Sequence, residues 1–373
     1  MKKVMPLLLT IIFVLSITGC NDKGAGDVSA SSQISSQVSE SSVSEPDVSS
    51  EEAIPSSEIS GTSPTNEATQ IPEIEEAISV GALKGPTAMG MVNIMDKDYG
   101  QDAFTFTRSA SPDELTPKIV QGEVDIAAIP ANLASVLYNK TDGKIKVISI
   151  NTLGVLYIVE NGDSVNSVED LRGKTIFASG KGASPEYTLK YLLSENGIDP
   201  DTDVNIEFKS EHAECVTSLV STENSVALLP EPFVTSATVK NPDIKVKLDI
   251  TQEWKKLTGE DSDEELITGV TVARTEFIEN HPDLVGFFLK EQLSSSTAVN
   301  ENVQDAAALM EKNAIRAAAV AEKAMPKWKI TCITGEEMKL SVAKYLDILN
   351  GYNPQAVGSS VPGDDFYYFD EQE

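Results

Sequence analysis

From Ile74 to Arg274 the sequence alternates between short apolar runs and longer amphipathic stretches, and that alternation confines the chain to an α/β architecture. Apolar runs near 78–82, 104–107, 125–129, 144–150, 156–160, 175–178, 205–209, 225–229, 245–249 and 269–274 read as strands. Segments such as 111–121, 186–196 and 213–221 carry the spacing of helices. The pattern predicts mostly parallel sheets covered by helices. Beyond Arg274 it changes to helices alone, near 281–297, 302–325 and 334–349, which read as covering elements rather than a third domain.

Four strand ends share one construction. Gly85-Pro86-Thr87 breaks the first run, and Thr87 is placed to cap the helix that follows. Pro130-Ala131-Asn132 ends another, and Asn132 offers both a donor and an acceptor. Gly182-Ala183-Ser184-Pro185 follows a third, with Ser184 as the expected cap and Pro185 in the first turn. Glu231, fenced by Pro230 and Pro232, ends a fourth and is a fixed acceptor for an amine or ring N–H. First-turn amides and the positive end of a helix dipole favour an anion or strongly polar group, so the recurrence points to a ligand site shared by several helix starts. Lys84 and Lys181 are the cations these junctions supply.

Charge and motif content exclude several functions. The formal net charge of −29, with no Lys/Arg-rich run, opposes a nucleic-acid backbone. Gly173-Lys174-Thr175 has Val168 where a phosphate-binding loop needs glycine, and it precedes a strand. Gly180-Lys181-Gly182 meets Pro185 where a dinucleotide fingerprint needs glycine or alanine. His212 and His281 are the only histidines. No nucleophile elbow, catalytic set or metal-spaced cluster is evident, so we expect no catalytic residue, metal or cofactor. That favours binding over turnover.

The N-terminus reads as an address. Lys2 and Lys3 precede an apolar run to Ile17, then Ile17-Thr18-Gly19-Cys20, which resembles a bacterial lipobox. Residues 1–20 are therefore expected to be a signal peptide, with Cys20 lipidated (palmitate among its acyl groups) and the protein held extracytoplasmically at the cell membrane. Residues 21–72 are Ser-rich and acidic with almost no aromatic side chains, the composition of a disordered tether. A flexible coil of about 50 residues reaches roughly 40 Å. With Cys20 so used, Cys215 and Cys332 remain, too few for a disulfide scaffold or zinc framework.

Several of these features, in order, carry a family likeness: Gly85-Pro86-Thr87, Gly122-Glu123-Val124-Asp125 leading into a strand, Asp170-Leu171-Arg172-Gly173-Lys174 before another, Gly182-Ala183-Ser184, Glu231-Pro232-Phe233, and the run from Phe277 to Pro282. With them, residues 74–349 resemble the extracytoplasmic solute-binding proteins of ABC importers, in the nitrate, sulfonate, taurine and thiamine-precursor group. The resemblance implies a two-lobed type II periplasmic-binding-protein fold with two hinge crossings, near 151–154 and 267–269. It implies lobe I over 73–153 and 268–362, lobe II over 154–267, and an acidic tail over 363–373. It also implies a small-molecule solute in the cleft, separate permease and ATPase subunits, and a monomer. The ligand residues expected on this basis are Lys84, Gly85, Pro86, Thr87, Ala131, Asn132, Thr152, Gly182, Ser184, Pro185, Glu231 and Thr268. Glu231 beside so few cations suggests a zwitterion or nitrogenous ring rather than a bare anion. A sensor or adhesin lipoprotein on the same fold, or an enzyme like the thiamine-pyrimidine synthases, are the alternative readings.

Overall fold

Strand β1 (Ile78–Leu83) is buried along most of its length, because it lies between two parallel partners, β2 (Phe104–Ser109) and β3 (Ile126–Pro130). The computed structural model describes residues 71–259 and 264–369; the signal segment, Cys20 and nearly all of the 21–72 stretch lie outside them. Short helices return the chain between these strands, Pro86–Met89 and Val92–Asp96 after β1 and Pro112–Gln121 after β2. After β3 the helix Ala131–Lys140 leads to the long β4 (Ile145–Leu153).

The chain then leaves this sheet. After β4 only Gly154 and Val155 precede β5 (Leu156–Glu160), which belongs to a second sheet with β6 (Thr175–Ser179), β7 (Asn205–Lys209), β8 (Val226–Pro230) and β9 (Lys245–Asp249). The return comes after the helix Ile250–Thr258, where β10 (Ile267–Arg274) inserts between β3 and β4. The two passages lie side by side, with the Gly154 N–H donating to the Leu266 carbonyl at 2.7 Å. We call the first sheet and its covering helices lobe I, and the second lobe II.

Strand order is β11-β4-β10-β3-β1-β2 in lobe I, where β11 is Ile330–Ile333, and β7-β6-β8-β5-β9 in lobe II. The expected two-lobed α/β architecture is present, but the sheets are mixed rather than mostly parallel. Each strand that has just crossed between lobes, β5 and β10, runs antiparallel to its neighbours because it enters from the opposite direction. β11 falls where only helices were expected, and the expected 302–325 helix is two helices, Val303–Lys312 and Ala318–Ala324.

One apolar core runs through both lobes, carried across by the helix Gly335–Tyr352, whose Tyr345 packs against Trp254 of lobe II at 5.7 Å between ring centroids. The C-terminal segment expected as an acidic tail contributes to that core over its described part. Phe366 and Tyr367 are buried, and the Tyr368 N–H donates to the Val147 carbonyl at 2.9 Å. Cys215 and Cys332 form no disulfide bond.

Candidate functional site

Five helices begin where strands of the two sheets end, around one cavity of about 80 Å³ between the lobes. From lobe I come Pro86–Met89, Pro112–Gln121 and Ala131–Lys140, whose N-cap residues are Gly85, Ser111 and Pro130. From lobe II come Ser184–Glu195 and His212–Ser221, capped at Ala183 and Glu211. In none of the five does the N-cap side chain hydrogen-bond to the first turn. These starts are not equal as donors, since Pro86, Pro112 and Pro185 carry no N–H and the Asn132 N–H donates to Ser184 Oγ at 3.3 Å, but their dipoles all add positive potential at the cavity. The size suits several waters or a solute of a few non-hydrogen atoms.

The most polar wall comes from lobe II. Ser179 ends β6, His212 opens the helix after β7, and the Ser179 Oγ and His212 Nδ1 share a hydrogen bond at 2.5 Å. Burial first, and the positive charge of Arg316 second, hold the His212 imidazole down at about 4, so it is neutral at physiological pH. A neutral imidazole engaged at one nitrogen still presents the other, as donor or acceptor. The Phe233 ring lies beside His212, tilted by 44° with centroids 4.9 Å apart. Lys84 and Glu211 also line the cavity.

Of the residues expected from sequence, Lys84, Gly85, Pro86, Thr87, Thr152, Pro185 and Thr268 line this cavity, whereas Ala131, Asn132, Gly182, Ser184 and Glu231 do not. The latter polar groups are engaged within the protein. Asn132 Nδ2 donates to the carbonyls of Gly182 at 3.2 Å and Ala356 at 2.9 Å, and Ser184 Oγ donates to Asn132 Oδ1 at 3.2 Å. The Gly182 amide donates to Glu186 at 2.6 Å, and Ala131 is buried in the core. The Glu231 carboxylate, fully buried, accepts from the Thr235 amide at 3.0 Å and from Lys327 Nζ at 3.2 Å. Nor are Thr87 and Ser184 caps: Ser184 is the first residue of its helix and Thr87 the second of its own, and Thr87 Oγ1 turns back to the Leu83 carbonyl at 3.4 Å. Lys181 lies over the Phe208 ring, outside the lining.

Ser179, Ser210, Glu211 and His212 line the cavity but were not among the ligand residues expected from sequence. The signal was available, because the ends of β2 and β7 are strand-to-helix junctions of the same kind as the four singled out. Among the described residues no group of three or more His, Cys, Asp or Glu side chains is placed to hold a metal ion.

A family model described as the periplasmic substrate-binding protein of phosphonate ABC transporters matches residues 89–326. A comparison with curated proteins gives no match. Among solved structures, an ABC transporter protein from Parabacteroides distasonis superposes with a TM-score of 0.65 at 21% identity, covering 79% of this chain and 99% of its own. The periplasmic aliphatic sulphonate binding protein SsuA from Escherichia coli gives 0.62 at 15%, covering 79% and 92%. The periplasmic nitrate-binding protein NrtA from Synechocystis gives 0.57 at 13%, covering 74% and 81%. At these identities the structural likeness establishes the fold.

Proposed function

Because the chain belongs to the phosphonate-type periplasmic substrate-binding proteins of ABC transporters, we propose that it captures a small oxyanion between its lobes and presents it to a membrane permease. The observation that carries this is the convergence of five uncapped helix starts and the Ser179–His212 pair on one small cavity. Phosphonate, sulfonate or a similar head group accepts several hydrogen bonds at once, and oriented amides supply them with no reorganisation. The buried, internally paired Glu231 removes the reason for expecting a nitrogenous ring. Glu211 takes over as the acceptor in the cavity wall, so a solute bearing both an amine and an oxyanion fits best.

Calorimetric titration of the purified protein with methylphosphonate, methanesulfonate, nitrate and aminoethylphosphonate tests this. We expect aminoethylphosphonate to bind most tightly and to lose its advantage over methylphosphonate in Glu211→Gln. Binding of neutral or purely cationic nitrogen compounds with no response to any oxyanion would contradict the reading.

The chain acts as a binder, not an enzyme. Ser179 and His212 make a dyad whose charged neighbour is the cation Arg316, the reverse of the carboxylate that steadies an imidazolium in hydrolases. Transport then requires separate permease and ATPase subunits. The basic, apolar and Cys20 sequence supports export and anchoring through a lipid on Cys20. Labelled palmitate should be incorporated into the wild type and not into Cys20→Ala; incorporation that survives the substitution removes the anchor.

A further inference from the structure

Lobe I reaches across the mouth of the cleft at two points, and both contacts fall on the same short stretch of lobe II. Arg316 lies just before the helix Ala318–Ala324 and Lys327 just after it, and that helix packs against the lobe II helix Phe233–Lys240. The Arg316 guanidinium sits 4.1 Å from the centroid of the Phe233 ring and its Nη1 is 3.4 Å from Ser236 Oγ. Lys327 Nζ donates to Glu231 Oε1 at 3.2 Å. Two cations beside a helix N-terminus oppose its dipole, so helix electrostatics do not place them there. Glu231 and the Phe233 face supply the compensation.

We propose that Arg316 and Lys327 are positioning residues that form a two-point clasp, holding the lobes shut over the solute. They touch Glu231, Phe233 and Ser236, none of which lines the cavity, so their contacts act through the helix start behind it, beside the repulsion that Arg316 exerts on a charged His212. Their effect is on the balance between open and closed forms. With Lys327 in place the buried Glu231 carboxylate has a counter-charge. Without it, the closed form retains a buried charge that opening would hydrate. Arg316 adds a stacked contact that exists only when Phe233 is opposite it, and its buried Nε has no hydrogen-bond partner to hold it elsewhere. A change in closure free energy passes directly into apparent affinity, since only the closed form retains the solute.

The clasp rests on the two-lobed fold and not on which solute is bound, so its test begins without ligand. Hydrogen exchange is measured on the ligand-free full chain for wild type, Arg316→Gln, Lys327→Met and Lys327→Arg. The first two variants should exchange roughly tenfold or more faster over residues 231–240 and 313–327, with the amides of β6 and β8 unchanged. Lys327→Arg should restore protection. Unchanged protection in Lys327→Met, or a loss spread evenly over both sheets, overturns the clasp, as does failure of Lys327→Arg to rescue. In a second arm, the affinity for methylphosphonate should fall by a comparable factor in the two disrupted variants, and unaltered affinity with accelerated exchange overturns a role in retention. If methylphosphonate binds none of the proteins, the solute assignment fails while the exchange arm still decides the clasp.

Discussion

His212 concentrates the chemistry of the site in one side chain. Its pKa falls from the ordinary 6.5 to about 4, because burial penalises the imidazolium and Arg316 repels it. Between those values the unfolded chain binds a proton that the folded chain refuses. The folded state is therefore destabilised progressively as pH falls from 6.5 to about 4, and the loss levels off below. Urea melts across this window should show wild-type stability falling more steeply than that of His212→Gln, by up to about 1.4 kcal/mol per pH unit where the difference is largest. Parallel curves for the two proteins would mean the imidazole is not held neutral.

At the scale of elements, the crossing from β4 to β5 is the tightest constraint. Gly154 and Val155 both take left-handed backbone angles, φ 58° and 68°. Glycine accepts this freely; a β-branched residue does not, and Val155 is held by its buried side chain and by its carbonyl, which accepts from the Glu231 amide at 2.9 Å. A Cβ on Gly154 would stand 2.5 Å from Thr251 Oγ1, at the start of the helix Ile250–Thr258. Gly154→Ala should destabilise by about 1–3 kcal/mol in urea melts, part from the backbone and part from this clash. Adding Thr251→Ala should recover only the second part, and a strictly additive pair would contradict the packing described. The elements themselves were largely legible, because buried strands such as β3 and β8 read as unbroken apolar runs bounded by turn residues. β11 was not, since it is a four-residue edge strand whose place beside β4 is set by long-range packing. Helix starts were located to within about two residues, and a shift of one moved Ser184 from a cap into a contact with Asn132. The partner of Glu231 lies 96 positions away, a distance over which local pattern carries no information.

For the whole molecule, the fold sets strand ends of two sheets against one another, so that helix starts from distant parts of the sequence share one cavity. The formal charge of −29 repels anions at long range, and capture of one depends on the local field those helix starts create. Closure of the lobes, as proposed above, would remove water from that cavity and strengthen every polar contact within it. The most direct test is to locate an electron-rich oxyanion in crystals of the protein. Anomalous scattering from bound arsenate should give a single dominant peak between the lobes, within hydrogen-bond reach of Ser179, His212 and the first-turn amide of Thr87. A peak on an outer face, or an arsenate-soaked crystal with nothing between the lobes, would contradict the account.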